Sequence, residues 1–414
     1  MHEKLAGLAG PLQGAYAWRD MLAKSALFLF GIALWYRGLG LNAAILLVVF
    51  AWILDGGLRR FVLMIKEPLV LAILVFCAVL LLGILWSDDL GSGFRVWRRY
   101  AILLVFIPYL ALLNKQRLPW AISGLLIGYS GVLLTGVYHW IVLGEPGIPT
   151  FVMSQTGFSA MLGVGAILAL YLANTSNSKK VKPLLWFLAS LFLFMQFNQG
   201  ARGTLLATLL ALLLLIFMLY GTRIKTLLGV MAAMFIMVMV FAYGSNGFQE
   251  RLVQGRSDIE LSQQGKYASS LGYRLAMWDV GLHGIAQHPW FGHGTGMPSR
   301  YFDETIATYK NGIYKDLPDR YVKTYHYHND WIEIGMQIGA LGLLAYTFFL
   351  WSWFRTLRAH RLAALGAALV CFVFISGLVE TLVFFRQTLY FLLVITAIAI
   401  VWQKENGDVV KEAG

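Results

Sequence analysis

The run GTLLATLLALLLLIFMLY at residues 203–220, followed by Gly221-Thr222-Arg223 and by IKTLLGVMAAMFIMVMVFAY at 224–243, decides the fold class. Each run is close to the roughly 20 apolar residues that a helix needs to cross a bilayer. Working outward, similar runs are found near 22–36, 40–54, 69–86, 99–113, 119–143, 153–173, 183–199, 330–352, 361–381 and 386–403. The pattern predicts about 12 transmembrane helices in an all-α, polytopic membrane protein. The first two runs are the shortest and are separated only by Arg37-Gly38-Leu39-Gly40.

Composition agrees. Hydrophobic residues make up 59% of the 414 and charged residues 13%, about half the charged share of an ordinary soluble domain. A soluble core of this size has no room for so much apolar surface. Disorder and coiled coil are excluded with it. Cys77 and Cys371 both sit inside apolar runs, so no disulfide framework is implied. Glu3, Lys4, Arg19 and Asp20 precede the first run without a small-residue cleavage site, so no cleavable signal peptide is expected.

The formal charge of +12 reads as a topology signal. With both termini in the cytoplasm, the inner loops carry Arg59, Arg60, Lys66, Lys115, Arg117, Lys179, Lys180, Lys182, Arg223, Lys225, Arg355, Arg358 and Arg361. The short outer loops carry far fewer basic residues: Arg37, Arg95, Arg98, Arg99, Arg202 and Arg386. That asymmetry follows the positive-inside rule, and no nucleic acid is needed to explain the charge. One outer loop, 244–329, is much longer than the rest. It holds nine Lys and Arg against eight Asp and Glu, together with five of the 8 histidines. Helices are expected in it near 247–262 and 268–288, lying on the membrane or capping the bundle. The chain thus divides into 1–243 with nine spans, 244–329 as the outer loop, and 330–414 with three spans and a cytoplasmic tail, all in one integral domain.

Charges beside spans are functional candidates by default. Arg202 lies in Gln199-Gly200-Ala201-Arg202-Gly203-Thr204, where glycines allow a tight turn and close approach to a ligand; the alternative is an arginine that snorkels to the interface. Arg274 lies in Gly272-Tyr273-Arg274-Leu275-Ala276-Met277-Trp278, as a ligand contact or a surface arginine on an amphipathic helix. The segment His288-Pro289-Trp290-Phe291-Gly292-His293-Gly294 has the composition of a re-entrant turn facing the cavity. Gly292, Gly294 and Gly296 follow no strand and are not a dinucleotide fingerprint.

His326-Tyr327-His328-Asn329-Asp330-Trp331-Ile332-Glu333 leads into the tenth span. Asp330 and Glu333 have capping-box spacing. His328 then precedes the first turn of a helix, whose dipole favours neutral imidazole, the state a general base requires. The other readings are an interfacial polar residue or a metal ligand with His326, for which His293 and Asp303 are further candidates only by proximity. Gly335, Gly339 and Gly342 give this span a small-residue face for close packing. In the outer loop at 86–99, Asp88 and Asp89 stand before Arg95, Arg98 and Arg99, which meet lipid phosphates or pair with the aspartates. Glu380 and Arg386 flank the last outer turn and are expected to pair with each other.

An arginine between two spans as Ala-Arg-Gly, then Tyr-Arg-x-x-x-Trp, then Pro-Trp-Phe-Gly-x-Gly, and a large late loop ending in His-Asn-x-x-x-Glu before a Gly-x-x-Gly helix together resemble the O-antigen ligase and polymerase superfamily. The match concentrates in 199–204, 272–296 and 326–342, and is greatest to the O-antigen ligases. Trp331-Ile332-Glu333 departs from the commoner leucine-containing form. The resemblance implies a GT-C type fold, an active site at the periplasmic face of the bacterial inner membrane, and a metal-independent, inverting glycosyltransferase without cofactor. It implies an undecaprenyl-pyrophosphate-linked glycan as donor and a sugar hydroxyl of lipid A–core as acceptor, in lipopolysaccharide biosynthesis. Carried over by residue, Arg202 and Arg274 match the family arginines and His328 the family histidine, with His326 beside it.

The residue chemistry is compatible with that reaction. Arginine forks bind phosphate bidentately and stay charged, so they can stabilise a leaving diphosphate as a metal would. His328 suits proton removal from the acceptor. His326, Asn329, Arg95, Arg98 and Arg99 are further candidate substrate contacts, and no metal ligand set is expected. Paired carboxylates of hydrolase type are absent from the sequence pattern. An O-antigen polymerase or a protein O-oligosaccharyltransferase would share this chemistry and differ only in acceptor. A lipid-linked glycan transporter would be expected to show matched, broken spans in its two halves, which the sequence lacks.

Overall fold

A computed structural model describes residues 2–36, 38–145, 147–149, 152–315, 317, 326–382 and 385–412. Among the described residues all the regular secondary structure is helical, without a strand. The first part runs α1 (His2–Ala33), α2 (Leu39–Leu54), α3 (Gly57–Met64), α4 (Pro68–Leu82), α5 (Leu90–Tyr100) and α6 (Phe106–Leu112). Then come α7 (Leu118–Val142), α8 (Gln155–Thr175), α9 (Val181–Phe197), α10 (Arg202–Tyr220) and α11 (Ile224–Gly244). The loop region contributes α12 (Asn246–Gln263), α13 (Ser270–Gln287) and α14 (Pro298–Thr305), and the chain closes with α15 (Asp330–Ala359), α16 (Ala363–Val379) and α17 (Arg386–Glu412).

Seven helices among the described residues are long and apolar enough to cross a membrane, and α2 with α3 forms a further pair bent by 94°. This is a polytopic membrane protein. Its count of long spans is lower than the expected twelve, and the shortfall has local causes. The expected span at 99–113 is broken: α5 ends at Tyr100, a 3-10 turn covers Ala101–Val105, and α6 has 7 residues. Pro108 explains the break, since it has no N–H for the Leu104 carbonyl. Helices α9 and α16 have 17 residues each, short of a full crossing at 1.5 Å per residue. The two helices expected in the loop are present as α12 and α13, each started by a serine cap: Ser245 accepts from Phe248 N and Ser269 from Gly272 N.

Helix α15 is the central element, packed against α4 and α16. Phe76 of α4 stacks on Phe349 with centroids 5.9 Å apart, and Trp353 Nε1 donates to Thr396 Oγ1 of α17 at 2.9 Å. Between helices in lipid, such close packing and hydrogen bonding drive association, because lipid is as apolar as leucine. Helix α10 packs on α16 and α8, α8 on α9, and α1 on α7.

Within α15 the helix breaks at Gly339, with φ 60 and ψ −148. Ala340 N donates to the Pro289 carbonyl at 2.7 Å, while His293 N and Gly294 N donate to the Met336 and Gln337 carbonyls at 2.8 and 2.9 Å. A Cβ at Gly339 would lie 2.5 Å from the Trp290 carbonyl carbon, so only glycine fits there. The segment 288–296 therefore does turn back into the bundle. Contrary to the sequence expectation, it faces α15 and α4 rather than a cavity: Thr295 Oγ1 donates to the Leu80 carbonyl at 2.6 Å, and none of the segment lines the cavities described below. Its role is to brace the helix that carries the histidine segment.

Candidate functional site

At the end of the bundle formed by α12 and α13, a cavity of about 830 Å³ is lined by four arginines, Arg202, Arg251, Arg256 and Arg274. Arg202 reaches it from the first residue of α10. The preceding Gly200 has φ +66, a left-handed turn that lets the chain leave α9 and start α10 almost at once. Gly255 of α12 provides the space: a Cβ there would lie 2.5 Å from Arg202 Nη1. Arg202 Nη1 donates to the Arg251 carbonyl at 2.7 Å, and Nη2 lies 4.0 Å from Asp258. Its charge is therefore only loosely compensated. Arg274 comes from α13 on the opposite wall, so sequence-distant arginines do share one space.

Glu380, at the end of α16, is the residue that organises the site. Its Oε1 accepts from Arg274 Nη2 at 2.6 Å and its Oε2 from His328 Nδ1 at 2.8 Å. The expected Glu380–Arg386 pair is not formed; Arg386 Nη2 instead reaches Asn42 Oδ1 at 3.4 Å. Glu380 is 10% exposed, and with an ionised carboxylate facing Nδ1 the His328 proton resides there. Nε2 is then left as the acceptor. His328 itself has φ 47, a strained conformation for a non-glycine residue, and such strain is concentrated at functional sites. The turn is fixed by its neighbours, as His328 N donates to His326 Nδ1 at 3.2 Å.

The start of α15 differs from a capping box. Asn329 is the cap: Oδ1 accepts from Trp331 N at 2.9 Å and Ile332 N at 3.1 Å, while Nδ2 donates to the Leu378 carbonyl at 2.9 Å. Both ends of this side chain serve structure. Asp330, fully buried, accepts from Leu382 N and Tyr346 Oη, each at 3.1 Å. Glu333 accepts from Tyr327 N at 3.0 Å. The carboxylates thus tie the histidine segment to the turn that carries Glu380, rather than closing the helix end.

His326 faces a second cavity, of about 720 Å³, lined also by Arg95, Arg98, Arg99 and Arg386. The His326 and His328 rings are 4.2 Å apart between centroids, so Glu380 on the wall of the first cavity connects through His328 to His326 on the wall of the second. Burial, followed by the charges of Arg99 and Arg274, holds His326 well below the ordinary imidazole pKa. Asp89, one of the expected partners of this arginine group, is used as the cap of α5, accepting from Gly91 N, Ser92 N and Ser92 Oγ. Among the described residues, no three His, Cys, Asp or Glu side chains are grouped to hold a metal ion.

Residues 187–347 match the family model described as O-antigen ligase. Over this stretch the chain is similar to the O-antigen ligase/polymerase family. The family is membrane-bound and its members are glycosyltransferase-like ligases and polymerases; it implies a lipid-linked glycan donor and a glycan acceptor. No curated protein matches the chain. The matched stretch contains Arg202, Arg274 and His328, whereas Glu380 and the arginines of the second cavity lie outside it. Sequence reasoning missed Glu380 as a partner of His328, and it missed Arg251 and Arg256. A lone carboxylate at the end of an apolar run was the available signal for Glu380; its partners were not visible, because one lies 52 residues away and the other 106.

Proposed function

We propose that the protein is an O-antigen ligase of GT-C type at the periplasmic face of the bacterial inner membrane. It transfers a glycan from undecaprenyl pyrophosphate to a sugar hydroxyl of lipid A–core. The observation that carries this reading is the Arg274–Glu380–His328 chain placed between two arginine-lined cavities. Arg202 and Arg274 bind the donor diphosphate in the larger cavity. The acceptor approaches from the side of Arg95, Arg98 and Arg99, which take up anionic groups of the acceptor lipid.

His328 Nε2 accepts the proton of the acceptor hydroxyl as its oxygen bonds to the anomeric carbon. The bond from that carbon to the phosphate oxygen breaks, and the electron pair leaves with the lipid diphosphate. Attack opposite the leaving group inverts the anomeric centre. Glu380 stabilises the imidazolium that forms, as a buried carboxylate does for other catalytic histidines. The arginines offset the charge collecting on the diphosphate. Proteoliposomes given a defined lipid-linked glycan together with either lipid A–core or a second lipid-linked glycan test this reading. Transfer to lipid A–core is expected; extension of the lipid-linked glycan alone would instead identify a polymerase.

A further inference from the structure

A third cavity, of about 460 Å³, adjoins the large arginine cavity at the crossing of α12 and α13. Both are lined by Ile259, Gln263 and Leu271, so one surface leads from the large arginine cavity into the third. Its volume falls in the range of small-molecule sites, and its lining has two characters. Tyr267 and Tyr314 meet edge to face with centroids 4.8 Å apart, beside the partly exposed Leu275. Along the edge, Asp279 accepts from Lys310 Nζ at 2.6 Å and from Tyr314 Oη at 2.8 Å.

The backbone that presents Lys310 is strained. Lys310 and Asn311 are consecutive non-glycine residues with φ 48 and 60. The Lys310–Asp279 pair does not account for this conformation as a stability device, because Lys310 is 53% exposed and exposed ion pairs contribute little. Strain of this kind gathers at ligand sites. An aromatic and aliphatic face bordered by a carboxylate, an ammonium and an amide suits a ligand that has C–H faces and also hydroxyls able to donate and accept. That is the chemistry of a sugar chain.

We infer that this groove is a glycan subsite, holding sugar units of the donor beyond the one attached to the diphosphate. The inference rests on the proposed reading of the adjoining arginine cavity as the diphosphate site. Sugar rings lie on Tyr267 and Leu275, and their hydroxyls bond to Asp279, Lys310 and Gln263. The groove sets how long glycans are gripped while their first sugar is transferred.

Two variants test it without touching the diphosphate residues. Lys310→Gly removes the ammonium and relaxes the left-handed backbone, so folding is retained. Tyr267→Ala removes a stacking face. The probe is a set of soluble oligosaccharides of graded length, released by mild acid from the source bacterium's lipid-linked glycan. It is titrated against the full chain in nanodiscs by ligand-observed NMR. The native protein should bind longer oligosaccharides better, both variants should weaken binding about tenfold or more, and Arg274→Lys should bind as the native protein does. In turnover, the two variants should raise KM for long-glycan donors and leave a single-sugar donor unaffected. Absence of oligosaccharide binding by the native protein overturns the subsite. So does unchanged binding in both variants, including the case where Lys310→Gly lowers only the melting temperature. If the native protein transfers nothing yet binds oligosaccharides through these residues, the diphosphate reading fails and the glycan groove stands.

Discussion

Glu380 receives the Nδ1 hydrogen of His328 with one carboxylate oxygen and the Arg274 guanidinium with the other, at 2.8 and 2.6 Å. The proposed base and one of the proposed diphosphate ligands are thereby set by one side chain. Glu380→Gln keeps the shape and removes the charge, and its amide can force the wrong histidine tautomer. We expect kcat to fall about 10²–10⁴-fold, with little change in KM or melting temperature. Combining it with His328→Ala should cost no more than His328→Ala alone, because the two act as a unit. Additive losses would show that Glu380 serves only Arg274.

The two histidines should separate. His328→Ala is expected to abolish transfer while the protein still inserts and binds donor. His326→Ala removes the acceptor for His328 N and should retain appreciable activity, and the native enzyme should work fully in EDTA. Equal loss in both variants, restored by added zinc, would favour a metal site instead.

Arg202→Lys and Arg274→Lys keep charge but lose the planar fork. Both should drop turnover about 10²–10³-fold, and the alanine variants should also lose donor affinity. Near-normal turnover in Arg202→Lys would mean that this side chain supplies only local charge. The same result for both variants would move the diphosphate site elsewhere, with Arg95, Arg98 and Arg99 to be tested next.

His326 gives the fold a pH dependence. Its pKa in the folded protein lies well below that of an ordinary imidazole, because burial and then the neighbouring charges of Arg99 and Arg274 oppose protonation. The unfolded chain therefore takes up the proton first. The stabilising contribution is complete above about pH 6.5 and is lost as pH falls below it. Thermal unfolding between pH 8 and 5 should show a falling melting temperature that is shallower in His326→Gln; an identical slope would remove His326 from the account.

Asp330 ties the two halves of the site together through Leu382 N and Tyr346 Oη. Asp330→Ala leaves both donors buried without that acceptor, at about 1–3 kcal/mol for each. The melting temperature and the activity should fall together, since the Glu380 turn loses its anchor. Asp330→Asn keeps one acceptor oxygen and puts an amide NH2 in place of the other, so it should recover part of both. Loss of activity with native stability would instead give Asp330 a direct chemical role.

Placement of the site at the outer face is open to a direct measurement. Single cysteines at Lys266 or Lys315 should be labelled in intact spheroplasts, because the loop at 244–329 is proposed to face the periplasm. Labelling only after lysis would overturn that placement.

The sequence by itself determined that this is a helical membrane protein, because apolar runs of bilayer length leave the backbone little alternative. It also determined α12 and α13, whose serine caps and periodicity are local, and it marked Arg202, Arg274 and His328 as polar residues at positions where burial is costly. Tertiary structure alone decided which of them meet. The Pro108 break and the 17-residue helices set how many spans are long. The Gly339 gap seats the 288–296 segment in α15 instead of in a cavity, Asn329 displaces Asp330 as the helix cap, and Glu380 turns from Arg386 to His328 and Arg274. Each depends on contacts between elements far apart in the chain, and those follow from how helices pack rather than from any local spacing of residues.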